Sequence, residues 1–286
     1  MKTRLLMAAL GMGLVAGCSV KKTEVVTTPV AYRDAQTASR PELLALVNER
    51  YAAVKSLSVP RFKIQLTGGT IDDGVLEKYR DAPGYLIAQS EDSIFVNILN
   101  PLTKTSLLTM ASTGGQFQVW LPRRNQFVTG STDVTADSKN PLYNVRPTHI
   151  LQGILIEPLS VGDHVTHYED RDASSKYYVV MVTRDGELKR RLWIERSRLQ
   201  IVRQQYYRNS ALVSDINYVN VAEIDGRLVA TELTIDRPQE QYSVRIELDT
   251  EELTINERRA TADFIINQPR GAERVVVSNK PEVRQN

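Results

Sequence analysis

Cysteine and histidine are scarce in this chain of 286 residues, which contains one cysteine and three histidines. A single thiol excludes an internal disulfide framework. So few imidazoles and thiols also leave little for nucleophilic or acid–base catalysis. The sequence has no Gly-x-Ser-x-Gly elbow, HExxH pattern, Walker loop or dinucleotide fingerprint. We therefore expect a protein that is not an enzyme, uses no cofactor and is held together by its hydrophobic core.

An excess charge of one sign is also missing. The chain carries 36 basic and 34 acidic residues, and residues 1–17 contain two of the basic ones, Lys2 and Arg4, and no acidic one. The remainder therefore holds 34 residues of each sign. Without a net charge there is no long-range field to attract nucleic acid, so we expect no nucleic-acid partner.

The first hydrophobic run is short. Leu5 to Val15 follow Lys2 and Arg4, and small residues lead from there to Cys18. This run is too short to span a bilayer. A charged start, an apolar centre and a small-residue cleavage point are typical of a secretory signal, which we assign to residues 1–17.

The four residues Val15-Ala16-Gly17-Cys18 resemble the lipobox of bacterial lipoproteins. The resemblance implies that residues 1–17 are removed and that Cys18 becomes an acylated first residue, carrying chains such as palmitate. Several chains give a stable membrane anchor, whereas one does not. Ser19 follows the cysteine, which in that class favours the outer membrane with the domain facing the periplasm. The alternative is an ordinary signal peptide with an incidental cysteine.

After the anchor, the composition indicates three segments. Residues 18–40 lack periodicity and are polar, which predicts a flexible tether. Residues 41–277 should form one domain, and 278–286 a disordered polar tail. The domain opens with a predicted helix from Pro41 to Ser56, whose apolar side chains fall at spacings of three and four.

Most of the domain alternates between apolar and polar residues in short runs separated by turn residues. A second short helix is predicted over Thr148 to Ile156. About a dozen strands and two helices, without βαβ alternation, indicate an α+β fold with an antiparallel sheet and helices on one face. The predicted strands are Arg61–Leu66, Gly84–Ser90, Ser93–Ile98, Thr105–Ala111, Gln116–Leu121, Gln126–Gly130, Asp163–Tyr168, Lys176–Arg184, Glu187–Glu195, Leu199–Tyr207, Leu212–Ile224, Leu228–Asp236 and Tyr242–Thr254.

The domain contains an ordered set of short segments between Pro41 and Val277. The segments are Tyr51-Ala-Ala-Val-Lys-Ser56, Thr113-Gly-Gly-Gln-Phe117, Trp120-Leu-Pro-Arg-Arg-Asn125, Arg146-Pro147, Leu253-Thr-Ile-Asn256, Phe264, Gln268-Pro269-Arg-Gly271 and Val275-Val-Val277. This ordered set resembles the LolA/LolB superfamily of lipoprotein carriers. The acylated cysteine makes the chain more similar to LolB and other lipid-anchored members than to the soluble LolA.

The resemblance implies a curved antiparallel half-barrel of about eleven strands, with helices as a lid over an apolar cavity for acyl chains. It also implies that Arg146, at the base of the lid, keeps the cavity shut. The alternatives are ordinary core residues and a salt bridge at the start of the helix. The candidate cavity residues are Leu86, Phe95, Ile98, Leu107, Phe117, Val119, Ile150, Leu151 and Ile154.

Two other features have structural explanations. Asp163 to Asp170 contains two histidines and three carboxylates, but histidines three apart on a strand point to opposite faces, so we expect no metal site. Trp193 lies between basic residues and could touch a membrane interface. Strand alternation favours instead an inward-facing Trp193.

The sequence thus predicts a lipid-anchored envelope protein that binds acyl chains or another apolar ligand. It would assist transfer or insertion of a lipoprotein or lipid at the outer membrane, together with a periplasmic carrier or an envelope complex. The alternative is a sensory or scaffold lipoprotein that uses the same fold to bind a protein partner in the periplasm.

Overall fold

The structure, a computed structural model, describes residues 35–69, 77–134 and 144–277. The predicted signal peptide, Cys18, the tether as far as residue 34 and the tail from residue 278 lie outside the described residues.

Two α-helices occur among the described residues. Helix α1 spans Arg40–Ala53 and helix α2 spans Pro147–Ile154. Both begin within one residue of the predicted start and end two or three residues before the predicted end. Neither is long and apolar enough to cross a membrane. Two short 3₁₀ helices cover Pro122–Arg124 and Thr261–Phe264.

Within the described part of the chain, fifteen strands form one sheet. They are β1 Ser56–Gly68, β2 Glu77–Gln89, β3 Ser93–Leu99, β4 Ser106–Thr113, β5 Gln116–Leu121, β6 Gln126–Ser131, β7 His164–Arg171, β8 Lys176–Arg184, β9 Glu187–Glu195, β10 Gln200–Arg208, β11 Ala211–Ile224, β12 Arg227–Arg237, β13 Tyr242–Leu248, β14 Thr254–Ile255 and β15 Glu273–Val277.

The sheet is open, with β15 and β7 at its two edges. Its order is β15-β6-β5-β4-β3-β2-β1-β13-β12-β11-β10-β9-β8-β7, and β14 pairs with the start of β1. Neighbours are antiparallel except β15 and β6, which are parallel. The sheet is mostly antiparallel, as expected, but the expectation of about eleven strands is wrong, partly because the C-terminal segment returns to add the short strands β14 and β15.

One face of the sheet carries the hydrophobic core. In β1 to β5 the register places Val59, Leu86, Val96, Met110 and Val119 opposite one another in a continuous row. All five are at most 7% exposed. Directly paired residues point to the same face of a sheet, so this row defines the inner face.

The inner face continues through the second half of the sheet. One row of directly paired residues runs from β8 to β13, and each of its members is at most 1% exposed. The row contains Val180, Leu192, Gln204, Ile216, Ile235 and Val244. Strands β8 to β13 therefore share one core with β1 to β5.

Both helices contribute to this core. Leu43 and Val47 are the buried residues of α1, whose first turn is tied by hydrogen bonds of 2.7 Å from the Ser39 backbone N–H and hydroxyl to Glu42. Helix α2 packs on β3, β4 and β12. At Gly153 a Cβ atom would lie 2.7 Å from Ile235 Cδ1, so only glycine allows this close approach.

The outer face of β3 and β4 is covered by the C-terminal segment, which the sequence did not predict. The Thr261–Phe264 turn contacts both strands, and Phe264 is only 1% exposed. The Ile266 N–H donates a 2.6 Å hydrogen bond to the side chain of Gln118. Ala111, opposite Gln118 on this face, is consequently fully buried.

Candidate ligand-binding cleft

A cleft of about 550 Å³ lies between the inner face of β8 to β10 and the end of α2, and we call it the main cleft. The connection that leaves α2, residues 155–160, forms one of its walls. Binding sites for small ligands commonly have a volume of about 300–1,000 Å³, so its size suits one small molecule.

Apolar side chains line much of the main cleft. Leu151 and Leu155 come from α2 and its end, Ile156 and Leu159 come from the connection, and Val182 comes from β8. Leu151, Leu155 and Val182 are at most 7% exposed. These side chains can pack against a hydrocarbon chain.

The sheet side of the main cleft is polar. Arg190 on β9 is 4% exposed, and it donates a 2.9 Å hydrogen bond from Nε to Gln204 and a 2.8 Å bond from Nη1 to the Glu157 carbonyl. Its guanidinium carbon lies 5.5 Å from the centre of the Tyr206 ring. Both Arg190 and Tyr206 line the main cleft.

The other cations at the main cleft already have acidic partners. Arg184 pairs with Asp163 at 2.7 Å, and Lys189 pairs with Glu187 at 2.6 Å. Asp92, at the turn between β2 and β3, accepts a 3.0 Å hydrogen bond from the Gly115 N–H.

A second, smaller pocket of about 60 Å³ lies near the end of α1. It is lined mainly by apolar side chains, including Val54, Ile154, Ile201 and Leu228. Its volume is about that of two water molecules in the liquid, so an acyl chain does not fit without rearrangement.

Most predicted cavity residues are packed core residues in this structure. Neither pocket is lined by Leu86, Ile98, Phe117, Val119 or Ile150, and each of these is at most 7% exposed. They fill the space beneath α2. Of the predicted set, only Leu151 reaches the main cleft and only Ile154 reaches the smaller pocket.

Two predicted cavity residues do not share the inner face. Phe95 pairs with Ile87 and Ala111, and it stacks on Tyr85 with ring centroids 5.8 Å apart, all on the outer face. Phe95 and Ile98 are three residues apart on one strand, so they cannot face the same side. Leu107 lies at a register shift in β4 and is half-buried.

Arg146 immediately precedes α2 and is 6% exposed. Its guanidinium carbon lies 4.7 Å from the centre of the Phe117 ring, and Nη1 donates to the Val145 carbonyl at 3.3 Å. Burial lowers the pKa of Arg146, while Tyr242 and Glu240 act to raise it. The residue thus links the start of α2 to β5.

A buried polar cluster lies beneath the first turn of α2. Arg237 donates to His149 Nε2 at 3.1 Å and to Glu240 at 2.6 Å. A guanidinium can only donate, so Nε2 must accept, and we assign the proton of the neutral imidazole to Nδ1, which hydrogen-bonds the Tyr242 hydroxyl. Burial, and then Arg237 and Arg146, hold the pKa of His149 well below its usual value.

The histidine- and carboxylate-rich segment forms the edge strand β7. His164 pairs with Thr183 and His167 with Val180, so the two imidazoles lie on opposite faces, as their spacing predicts. No group of three or more His, Cys, Asp or Glu side chains in the described part of the chain is placed to hold a metal ion.

The expectation that Trp193 faces inward is wrong. Leu192 and Ile194 are the inward, fully buried residues of β9, so Trp193 between them lies on the outer face. There Arg203 stacks over its ring at 4.9 Å.

Arg190 and Tyr206 are not among the predicted site residues. Arg190 stands in the basic run Lys189-Arg190-Arg191, just before Leu192 and Trp193. Its position two residues before Leu192, in the same inward phase, could have identified it as a buried charge.

Comparison with known proteins gives no match to any family model and none to a curated protein sequence. Solved structures do match. A LolA superfamily protein from Nitrosomonas europaea has 14% sequence identity and a TM-score of 0.52, covering 80% of this chain and 99% of its own. The chain has a LolA/LolB-like fold.

Two further structures support this LolA/LolB-like fold. A DUF1329 family protein from Desulfovibrio piger has 13% identity and a TM-score of 0.54, covering 80% of this chain and 98% of its own. A domain from Vibrio parahaemolyticus, described as an outer membrane lipoprotein-sorting protein, has 14% identity and a TM-score of 0.51, with coverages of 77% and 95%. At these identities the likeness concerns the fold.

Proposed function

We propose that this protein is a lipid-anchored, non-enzymatic envelope protein that binds acyl chains or another apolar ligand. It would assist transfer or insertion of a lipoprotein or lipid at the outer membrane. The observation that carries the proposal is the main cleft of about 550 Å³ between α2 and the sheet. The lipoprotein-sorting description of the structurally similar Vibrio parahaemolyticus domain supports it.

The lining of the main cleft supports an apolar ligand. Leu151, Leu155 and Val182 form an apolar surface beside the open space. Each Å² of apolar surface that a hydrocarbon chain removes from water is worth about 25 cal/mol, and a chain also removes its own surface. Binding therefore needs no nucleotide, and release would follow a difference in affinity between donor and acceptor.

Arg146 would act as a latch in this proposal. Lifting the start of α2 from the sheet would separate its guanidinium from the Phe117 ring. A cation over an aromatic ring is worth about 0.5–2 kcal/mol, so losing this one contact would cost little compared with the burial of an acyl chain. Lifting α2 in this way would widen the space between the helix and the sheet, and a ligand could then reach the packed residues beneath α2.

We further propose that acyl chains on Cys18 hold the domain at the membrane. The substitution Cys18→Ala removes the acylated thiol, and cell fractionation should then find the protein no longer in the outer membrane. An outer-membrane fraction equal to that of the wild type would show that another part of the chain carries the attachment.

Native mass spectrometry of the full chain with Cys18→Ala, purified without detergent, tests ligand binding. We expect lipid or fatty acid to co-purify. Gln152→Trp adds bulk to the main cleft from a half-buried position on α2 and should greatly reduce the bound fraction. Leu102→Trp is the matched control, because Leu102 is 90% exposed in the turn between β3 and β4.

A second function is favoured by one observation. The inner face beneath α2 is filled by the protein's own side chains, as a scaffold or sensor that binds a protein partner would require. Absence of any bound lipid, together with equal behaviour of the two tryptophan variants, would reject the carrier and leave this alternative.

A further inference from the structure

Arg190 is a buried cation whose observed partners are all uncharged. It is 4% exposed and hydrogen-bonds the amide oxygen of Gln204 and the backbone carbonyl of Glu157. No carboxylate of the described residues forms an ion pair with it, although ten ion pairs occur among those residues. Burying a charge without a counter-charge is costly, so an anionic partner would stabilise this site.

Tyr206 supplies a second polar group at the same place. It is 8% exposed, and among the described residues its buried hydroxyl has no hydrogen-bond partner. It lies directly opposite Arg190 in the pairing of β9 and β10, and both line the main cleft. Burial raises the pKa of Tyr206, so its hydroxyl keeps the proton that a hydrogen-bond donor needs.

Arg190 retains donors for a ligand. A guanidinium has five N–H groups. The Nε group and one N–H of Nη2 are directed to Gln204, and one N–H of Nη1 is directed to Glu157. One N–H on each terminal nitrogen is left, and a carboxylate commonly accepts two N–H groups from one arginine.

We propose that Arg190 and Tyr206 form an anion subsite that binds the carboxylate of a long-chain fatty acid, whose hydrocarbon chain lies against Leu151, Leu155 and Val182. The inference rests on the proposed function, since it specifies the ligand of the same cleft. In this arrangement the carboxylate of the fatty acid lies at β9 and β10, and its hydrocarbon chain lies on the α2 side of the cleft.

The charge at the subsite favours a monoanion over a phosphate group. Arg190 is the only cleft-lining cation that lacks an acidic partner among the described residues, because Arg184 and Lys189 pair with Asp163 and Glu187. The nearby Glu157 carboxylate acts to raise the pKa of Tyr206, so it adds negative potential at the same place. A second negative charge on the ligand would add to this repulsion, so a singly charged carboxylate fits the subsite better than a phosphate dianion.

Binding of palmitate and of methyl palmitate to the delipidated full chain with Cys18→Ala tests the subsite. The two probes share the hydrocarbon chain, and only palmitate is charged. We expect palmitate to bind at least about tenfold more tightly, the size expected for a charge-assisted hydrogen bond. Arg190→Gln should lower palmitate affinity about tenfold or more, and Tyr206→Phe several-fold, while the affinity for methyl palmitate should change much less in both variants.

Lys189→Gln is the matched control, since Lys189 lines the same cleft but is paired with Glu187. It should change palmitate affinity by less than about twofold. If Arg190→Gln does not fold, Tyr206→Phe, which keeps the buried ring, still decides the question. Inorganic phosphate, added as a competitor, should not displace palmitate.

The outcomes separate this inference from the proposed function. Equal affinities for palmitate and its methyl ester, or an equal loss of both in the Arg190 and Tyr206 variants, would overturn the carboxylate subsite and leave an apolar carrier. Displacement of palmitate by phosphate would also overturn the carboxylate assignment, in favour of a phosphate headgroup. Failure of both probes to bind would reject the inference and the proposed function together.

Discussion

Truncating Leu86 tests whether the inner face beneath α2 is packed core or lipid cavity. Leu86 is 1% exposed and lies in the row between Val59 and Val96. Leu86→Ala removes three carbons, worth about 2.4 kcal/mol at about 0.8 kcal/mol each. The cavity left behind adds to this, so measured Leu→Ala costs in cores reach about 2.7–5.0 kcal/mol. We expect a loss of about 3–4 kcal/mol in the free energy of unfolding.

Urea denaturation of the delipidated protein, with and without palmitate, measures this loss. Leu102→Ala is the control, because the same substitution at a 90% exposed side chain should change stability by no more than about 0.5 kcal/mol. Palmitate should stabilise Leu86→Ala no more than it stabilises the wild type. A loss below about 1 kcal/mol, or one that palmitate reverses in Leu86→Ala alone, would refute the packed-core description of this half of the sheet.

Two other substitutions test the close approach of strands and the buried histidine. Gly84→Ala would place a Cβ 2.4 Å from the Asn97 carbonyl oxygen and 2.6 Å from Phe62 Cζ, so urea denaturation should show a loss of about 1–3 kcal/mol. Gly162→Ala, with nothing within 4 Å of the new Cβ, should be close to neutral. His149 has a lowered pKa in the folded state, so the unfolded chain takes up its proton first as the pH falls below about 6.5 and stability declines by up to about 1.4 kcal/mol per pH unit. His149→Gln should reduce this decline between pH 7 and pH 5, and an unchanged slope in urea titrations would contradict the assignment of a buried neutral imidazole.

Much of the fold follows from local sequence patterns. Alternation between polar and apolar residues locates β3 to β6 and β8 to β12 to within about one or two residues, and Pro41 and Pro147 mark the helix starts. The missed elements carry weaker signals. Strand β14 has two residues, and β15 pairs in parallel with β6 across more than a hundred residues, so neither shows in local periodicity.

The candidate site was harder to predict than the fold. Sequence alternation identifies which residues are buried, but not whether a helix or a ligand covers them. Leu86 and Phe117 were correctly expected to be inward-facing, yet α2 packs closely enough through Gly153 to fill the space around them. Phe95 was predicted on the wrong face of its strand. Phe95 and Ile98 are three residues apart, so an inward Ile98 requires Phe95 to face outward.

The position of the main cleft follows from a change in the inner face itself. Beyond the first turn of α2, the rows beneath this helix are apolar, and side chains fill them. Near β8 to β10 one row runs Val182, Arg190, Tyr206 and Ser214, and three of its four members are polar. A helix with an apolar face gains little by packing there, because it would supply no anion for Arg190 and no hydrogen-bond partner for the Tyr206 hydroxyl. A purely apolar ligand meets the same penalty, whereas a fatty acid covers the apolar wall and supplies the missing anion. The polar row would therefore select the head of the ligand, and burial of the ligand's own hydrocarbon surface would provide most of the affinity.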